Sequence, residues 1–84
     1  MSSPSDLFDL RMALDLVTEA AESYRADTPA SVLDALAAAQ RVRADETALR
    51  TALVRLHAAV RNSEITVPAA LAGRVRMAAE KALN

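Results

Sequence analysis

The sequence contains no cysteine and no tryptophan, and it has one glycine, one histidine and two aromatic residues in 84 positions. Without cysteine there is neither a disulfide framework nor a thiolate metal site. A single glycine excludes a glycine-rich phosphate-binding loop. No apolar run approaches the roughly 18 residues that a membrane-spanning helix requires. We therefore expect no cofactor, no metal and no membrane insertion.

Alanine is the commonest apolar residue, with 20 copies. A core this rich in methyl side chains can hold helices together, but it is too thin to enclose a cofactor-sized cavity of roughly 300 Å³ or more. Below about 70–80 residues a single core rarely supplies more than about 3–5 kcal/mol, and small chains often recruit a partner subunit; this chain, with 84 residues, is only just above that limit. The composition predicts one small domain, residues 1–84, that is not an enzyme and that associates with another protein.

Arginine outnumbers lysine by nine to one. Together with the alanine excess, this usage is typical of GC-rich bacterial and phage genomes, so an arginine is not by itself a sign of function. The first residues, MSSPSDLFD, are acidic, and charges interrupt the apolar stretch that follows, unlike a secretory signal. We expect a cytoplasmic location.

Capping residues and apolar spacing predict four helices, at about residues 4–25, 29–43, 45–61 and 68–83. Ser3 and Pro4 suit a helix start, and Thr28 and Pro29 repeat the pattern of a cap followed by a first helical residue. The EITV segment is too short to build a sheet. The fold class that we predict is all-α, a small antiparallel bundle of three to four helices.

The middle two helices could instead form one long rod, because residues 31–66 contain no glycine or proline. The apolar faces argue against a rod. At about 100° per residue, Leu33 and Leu36 lie more than a quarter turn from the later apolar stripe of Leu49, Leu53, Leu56 and Val60. Asp45 and Glu46 also suit the start of a separate helix. We favour a break within the RVRADET segment.

The first helix carries two apolar stripes. One stripe has the 3-4 spacing of a core-facing side and comprises Leu7, Leu10, Leu14, Val17, Ala21 and Tyr24. The other, on roughly the opposite side, comprises Phe8, Met12 and Leu16. Neighbouring helices of the same chain could bury both stripes. Our interpretation is that the second stripe binds another protein, with a second copy of the chain as the expected partner, because twofold homodimers are the commonest oligomers.

Charge is distributed unevenly along the chain. Residues 1–40 carry seven acids and two arginines, whereas residues 41–84 carry eight bases and four acids. One interpretation is that the acidic first helix lies against the basic later helices. The alternative is a nucleic-acid-binding regulator that uses a basic face of the third helix, with candidate residues Arg43, Arg50, His57 and Arg61.

Catalytic residues are not indicated. His57 falls beside the apolar stripe of the third helix, where a histidine usually has a structural role, and no cleft is predicted around it. Asp15, Glu19 and Glu22 share one face of the first helix, but metal sites in bundles take acids from several helices together with histidine. These three acids are therefore interpreted as a solvated face. The function that we predict is an adaptor, regulator or inhibitor that acts by protein–protein interaction.

Overall fold

The computed structural model describes residues 4–62, 64 and 67–83, and within them it shows four α-helices and no strand. The α-helices are α1 (Pro4–Ser23), α2 (Ala30–Arg41), α3 (Glu46–Arg61) and α4 (Ala69–Leu83), and a 3-10 turn at Arg25–Asp27 joins α1 to α2. The helices pack as a small antiparallel bundle, so the predicted fold class is confirmed. Both α1 and α3 contact every other α-helix, whereas α2 and α4 make at most marginal contact with each other.

The core consists largely of the apolar stripes that the sequence spacing predicts. On α1, Leu10, Leu14 and Val17 are completely buried, and on α3 the whole predicted stripe is buried. On α4, Val75, Ala79 and Ala82 are buried, whereas Leu71 and Ala78 are only partly buried. Alanine also fills buried positions of α1, and its small side chain allows the close packing of α1 against α4, which is the most extensive helix pair.

A four-residue turn separates α2 from α3, so the structure contains the break rather than the rod. The side chain of Asp45 caps α3, because its Oδ1 accepts a hydrogen bond of 3.1 Å from the backbone N–H of Ala48. The backbone N–H of Asp45 in turn donates to the carbonyl of Val42 at 2.9 Å. A side chain that satisfies a free N–H at a helix start typically contributes about 1 kcal/mol, which explains a break without glycine or proline.

The predicted cap of α2 is wrong. The residue that precedes α2 is Pro29, whose carbonyl accepts the first helical hydrogen bonds, and it has no capping side chain. Thr28 instead turns its hydroxyl back towards α1, where it donates to the carbonyls of Tyr24 (2.9 Å) and Ala21 (3.5 Å). The Tyr24 carbonyl also accepts from the backbone N–H of Asp27 at 3.0 Å, so the hydroxyl is a second donor at the end of α1. The predicted cap of α1, Ser3, lies outside the described residues.

Gly73 lies inside α4, and a Cβ atom placed on it would have no neighbour within 4 Å. Glycine in a helix interior is less favourable than alanine by roughly 0.5–1 kcal/mol, because it loses more backbone freedom on folding. We expect Gly73→Ala to raise the free energy of unfolding by about that amount in urea denaturation. The reverse change at an exposed alanine of α3, Ala58→Gly, is the matched control and should lower it similarly. Destabilisation by Gly73→Ala would contradict this account.

Candidate protein-binding surface

Phe8 and Met12 project from the outer face of α1, one helical turn apart. Phe8 is 50% exposed and Met12 is 57% exposed, on the side of α1 opposite to its buried stripe. The only other large apolar side chains that are exposed among the described residues are Val54 on α3 and Met77 on α4. Phe8 and Met12 are therefore the only two such side chains that share a helix face, and we call them the α1 surface.

The third residue of the predicted stripe, Leu16, is half-buried and packs against the core. Leu16 is therefore less accessible to a partner than Phe8 and Met12, although it belongs to the same predicted stripe. The cause is helical geometry. Each step of four residues advances about 40° around a helix of 3.6 residues per turn, so Leu16 is rotated by about 80° from Phe8. That rotation brings it to the edge of the buried face.

A groove lies on each side of the α1 surface, and both grooves are lined in part by Phe8 and Met12. The larger groove has a volume of about 390 Å³ and runs beside the turn between α2 and α3; its other lining residues are Leu7, Arg11, Asp15 and Arg43. The smaller groove, of about 300 Å³, lies between α1 and α4, where its other lining residues are Asp9, Ala78 and Lys81. The apolar pair therefore forms a ridge between two concave strips.

A polar network fixes the wall of the larger groove. Arg43 donates two hydrogen bonds to the carboxylate of Asp15, from Nη1 to Oδ1 (2.6 Å) and from Nη2 to Oδ2 (2.8 Å). Its Nη1 also donates to Oε1 of Gln40 at 3.2 Å, and its backbone carbonyl accepts from Nε of Arg11 at 3.1 Å. Asp15 and Arg11 belong to α1, whereas Arg43 belongs to the turn between α2 and α3. The network therefore holds that turn against α1.

The network perturbs the titration of its charged pair. The hydrogen bonds from Arg43, helped by its positive charge, lower the pKa of Asp15 below its ordinary value, although partial burial opposes the shift. The same hydrogen bonds raise the pKa of Arg43. Opposite charges of the acidic first helix and the basic later part of the chain thus meet within one molecule.

The lowered pKa of Asp15 predicts a pH dependence of stability. Since its carboxylate is favoured in the folded state, the pair stabilises the fold above the ordinary aspartate pKa of about 3.9, and this contribution is lost as the pH falls through the lower pKa of the folded state. The side chains of Asp15 and Arg43 are 55% and 36% exposed, so solvent screening limits the contribution to no more than about 1 kcal/mol.

We expect Asp15→Asn to lower the melting temperature at pH 7, and the difference from the wild type to shrink as the pH is lowered below 4. Thermal unfolding followed by circular dichroism at a series of pH values measures both. Glu19→Gln is the control, because Glu19 is an exposed acid of the same helix with no ionic partner among the described residues. A difference for Asp15→Asn that stays constant down to pH 2 would refute the pairing.

The four residues of the candidate nucleic-acid surface do not form one exposed basic face. Since α3 begins only after the Asp45 cap, Arg43 lies in the turn before it. There its guanidinium donates to the carboxylate of Asp15. Arg50 is half-buried, and its Nη1 donates to the carbonyl of Leu83 at the end of α4 (3.4 Å). The side chain of His57 is 14% exposed, and its Nε2 lies 3.6 Å from Oε1 of Glu80. Arg61 alone of the four is exposed.

This arrangement predicts weak binding to nucleic acid. Phosphate binding requires several free cations on one face, and each neutralised phosphate adds to the salt dependence. Three of the four candidate side chains instead face groups of their own chain. We expect no retardation of duplex DNA in an electrophoretic shift assay at about 50 mM salt. A retarded band that disappears in the Arg50→Ala and Arg61→Ala variants would restore the nucleic-acid alternative.

The three acids that share one face of α1 lie at the surface of the molecule. Asp15, Glu19 and Glu22 are all exposed, and Glu22 pairs with Arg25 at 3.0 Å rather than with a cluster of ligands. Over residues 4–62, 64 and 67–83, no group of three His, Asp or Glu side chains is placed to hold a metal ion. Within the same residues, none of the helices combines the length and the apolar character needed to cross a bilayer.

Comparison with protein-family models, curated proteins and solved structures finds no match for this chain. The surface is therefore interpreted from its own residues. Sequence reasoning singled out Phe8 and Met12 but missed Val54, which is 53% exposed. Spacing places Val54 out of phase with the buried stripe of α3, but a single valine does not form a second stripe, so the sequence did not single it out.

Proposed function

We propose that this protein is a small, non-enzymatic protein-interaction module of the cytoplasm, and that it binds through the α1 surface. A second copy of the chain is the partner that we propose first, and an adaptor, regulatory or inhibitory role towards another protein is compatible with the same surface. The observation that carries the proposal is that Phe8 and Met12 are half exposed on one turn of α1. Large apolar side chains each gain roughly 1.5–3 kcal/mol from complete burial, and aromatic residues and methionine are enriched in interface cores.

The α1 surface is smaller than a complete interface. Two half-exposed side chains of this kind leave on the order of 200 Å² accessible, whereas a stable interface covers about 800 Å² on each partner. Phe8 and Met12 therefore act as anchors at the centre of a larger contact. The walls of the two grooves, and the charged side chains around them, supply the rest.

The proposal is tested by measuring the mass of the purified chain in solution by light scattering. The chain concentration is varied from micromolar to millimolar, which covers the affinities of ordinary interfaces. Nearly all chains are associated once their concentration is about 100 times the dissociation constant. We expect a mass above that of one chain, and we expect the double variant Phe8→Ser/Met12→Ser to have the mass of one chain. Removing the two anchors should weaken association by at least about tenfold, which corresponds to 1.4 kcal/mol.

Met77→Ser is the matched control, because Met77 is 72% exposed on α4 and lies outside the α1 surface. It should associate like the wild type. Circular dichroism spectra and melting temperatures establish that each variant is folded. A wild-type chain that has the mass of one copy throughout, or a folded Phe8→Ser/Met12→Ser variant that associates normally, would show that the α1 surface does not mediate self-association.

A further inference from the structure

The two grooves beside the α1 surface differ in what their charged side chains already bind. In the larger groove, Arg43 is bonded to Asp15, and Arg11 donates to the backbone carbonyl of Arg43. The charged residues of the smaller groove are Asp9 on α1 and Lys81 on α4. Neither has an ionic partner among the described residues, and they do not pair with each other. The smaller groove therefore keeps both an acid and a base available to a partner.

The two walls of the smaller groove are unlike each other. The α1 wall carries the half-exposed side chains of Phe8 and Met12 together with Asp9. The α4 wall carries Ala78, whose side chain is a single methyl group, together with Lys81. One wall thus offers a large apolar ridge and a negative charge, whereas the other offers a small residue and a positive charge. Each wall complements the other in shape and in charge.

The two walls do not meet within one chain, because they lie side by side along an open groove of about 300 Å³. A second copy seated face to face can bring them together. Rotation by 180° about an axis that runs along the groove exchanges the walls, so that α1 of each copy lies over α4 of the other. Such a contact uses the same patch on both copies, and every complementary element is matched twice.

Charge selects this rotation over the other twofold arrangement of the same patch. An axis that runs across the groove would place α1 on α1 and α4 on α4. The ridge of one copy would then meet the ridge of the other, with Asp9 beside Asp9 and Lys81 beside Lys81. Like charges brought together in this way are unfavourable. The mixed charges of the smaller groove therefore favour the arrangement in which unlike walls face each other.

We propose that the partner at the α1 surface is a second copy of this chain, bound through the smaller groove of both copies about a twofold axis along that groove. Phe8 and Met12 of each copy pack on Ala78 of the other, and Asp9 of each copy lies beside Lys81 of the other. The inference rests on the proposed function, because it specifies which groove the contact uses and which residues meet. Because the contact is self-complementary, the assembly closes at two chains.

Charge reversal at either end of the Asp9–Lys81 contact tests the proposal. Asp9→Lys would place two bases together at both symmetric positions, and Lys81→Glu would place two acids together. We expect each variant to associate at least about fivefold more weakly than the wild type in light scattering over a concentration series. The difference should shrink as salt is raised, because salt screens exposed charges.

Asp34→Lys on α2 and Arg55→Glu on α3 are the matched controls. They make the same changes of charge at exposed positions that line neither groove, so both should associate like the wild type. Circular dichroism establishes that each variant is folded. If a reversed variant does not fold, Asp9→Asn or Lys81→Gln replaces it and should weaken association by at least about twofold.

Mixing Asp9→Lys with Lys81→Glu gives the decisive result. In a mixed pair, the introduced lysine faces the introduced glutamate, while the unchanged Asp9 and Lys81 face each other at the symmetric position. An equimolar mixture should therefore associate about as tightly as the wild type, although each component alone is weakened. The double variant Asp9→Lys/Lys81→Glu should also regain self-association, because it only exchanges the two charges.

Every other outcome overturns a definite part of the proposal. If the folded charge variants associate like the wild type, or if their mixture is no tighter than either alone, the smaller groove is not the contact, and the proposed role of the α1 surface is unaffected. A wild-type mass that rises beyond two chains excludes the closed twofold pair. If folded Phe8→Ser/Met12→Ser associates normally, the proposed function fails with the inference. A wild-type chain that is monomeric at every concentration excludes self-association through either groove.

Discussion

Burial of the inner stripe of α1 is the interaction on which the bundle depends. Leu10, Leu14 and Val17 have no exposed surface, and α1 contacts all three other α-helices. At roughly 1.5–3 kcal/mol for each fully buried side chain, these three residues contribute a large part of the stabilisation available to a small domain. Because the neighbouring buried positions are often alanine, the helices approach closely and the core remains thin. A helix at the centre of so thin a core therefore has its opposite side exposed to solvent.

That geometry explains why α1 also carries the candidate binding surface. In a larger domain, a further layer of helices would cover the outer face of a central helix. Here α2 and α4 flank α1 without enclosing it, and grooves remain on both sides of Phe8 and Met12. The network of Asp15, Arg43 and Arg11 holds the wall of one groove in place. The wall of this groove is consequently held by contacts within the fold.

The sequence predicts the helical elements and most of the buried residues because both depend on local spacing. The stripe of α3 recurs every three or four residues and is buried as predicted, and the Asp45 cap accounts for the break before it. The sequence predictions are wrong where a side chain can bond either to a group nearby in the sequence or to one far along the chain. Thr28 is a residue type that caps helices, but its hydroxyl donates to the carbonyls of Ala21 and Tyr24 at the end of α1. Arg43 lies seven residues before Arg50, the spacing of a shared helix face, yet it pairs with Asp15, 28 residues earlier.

The extent of the candidate binding surface was predictable only in part, for a related reason. Spacing identifies which residues of α1 lie away from its main stripe, but the limit of the buried face depends on how the neighbouring helices are rotated. Leu16 falls inside that limit, whereas Phe8 and Met12 fall outside it. The face of α3 that carries Val54 was not singled out, because a lone valine among alanines and threonines gives little apolar signal until its exposure is known.

Charge is the second property that distinguishes the candidate binding surface. Two anchors supply only part of an interface, and the surrounding rim favours or rejects partners through electrostatic complementarity, which affects specificity and association rate more than affinity. The charged residues that line the two grooves beside Phe8 and Met12 are of both signs, Asp9 and Asp15 together with Arg11, Arg43 and Lys81. Asp15 and Arg43 neutralise each other within the chain. The sequence separates acids from bases along its length, but the fold brings them together around the α1 surface, so the rim has no single sign of charge.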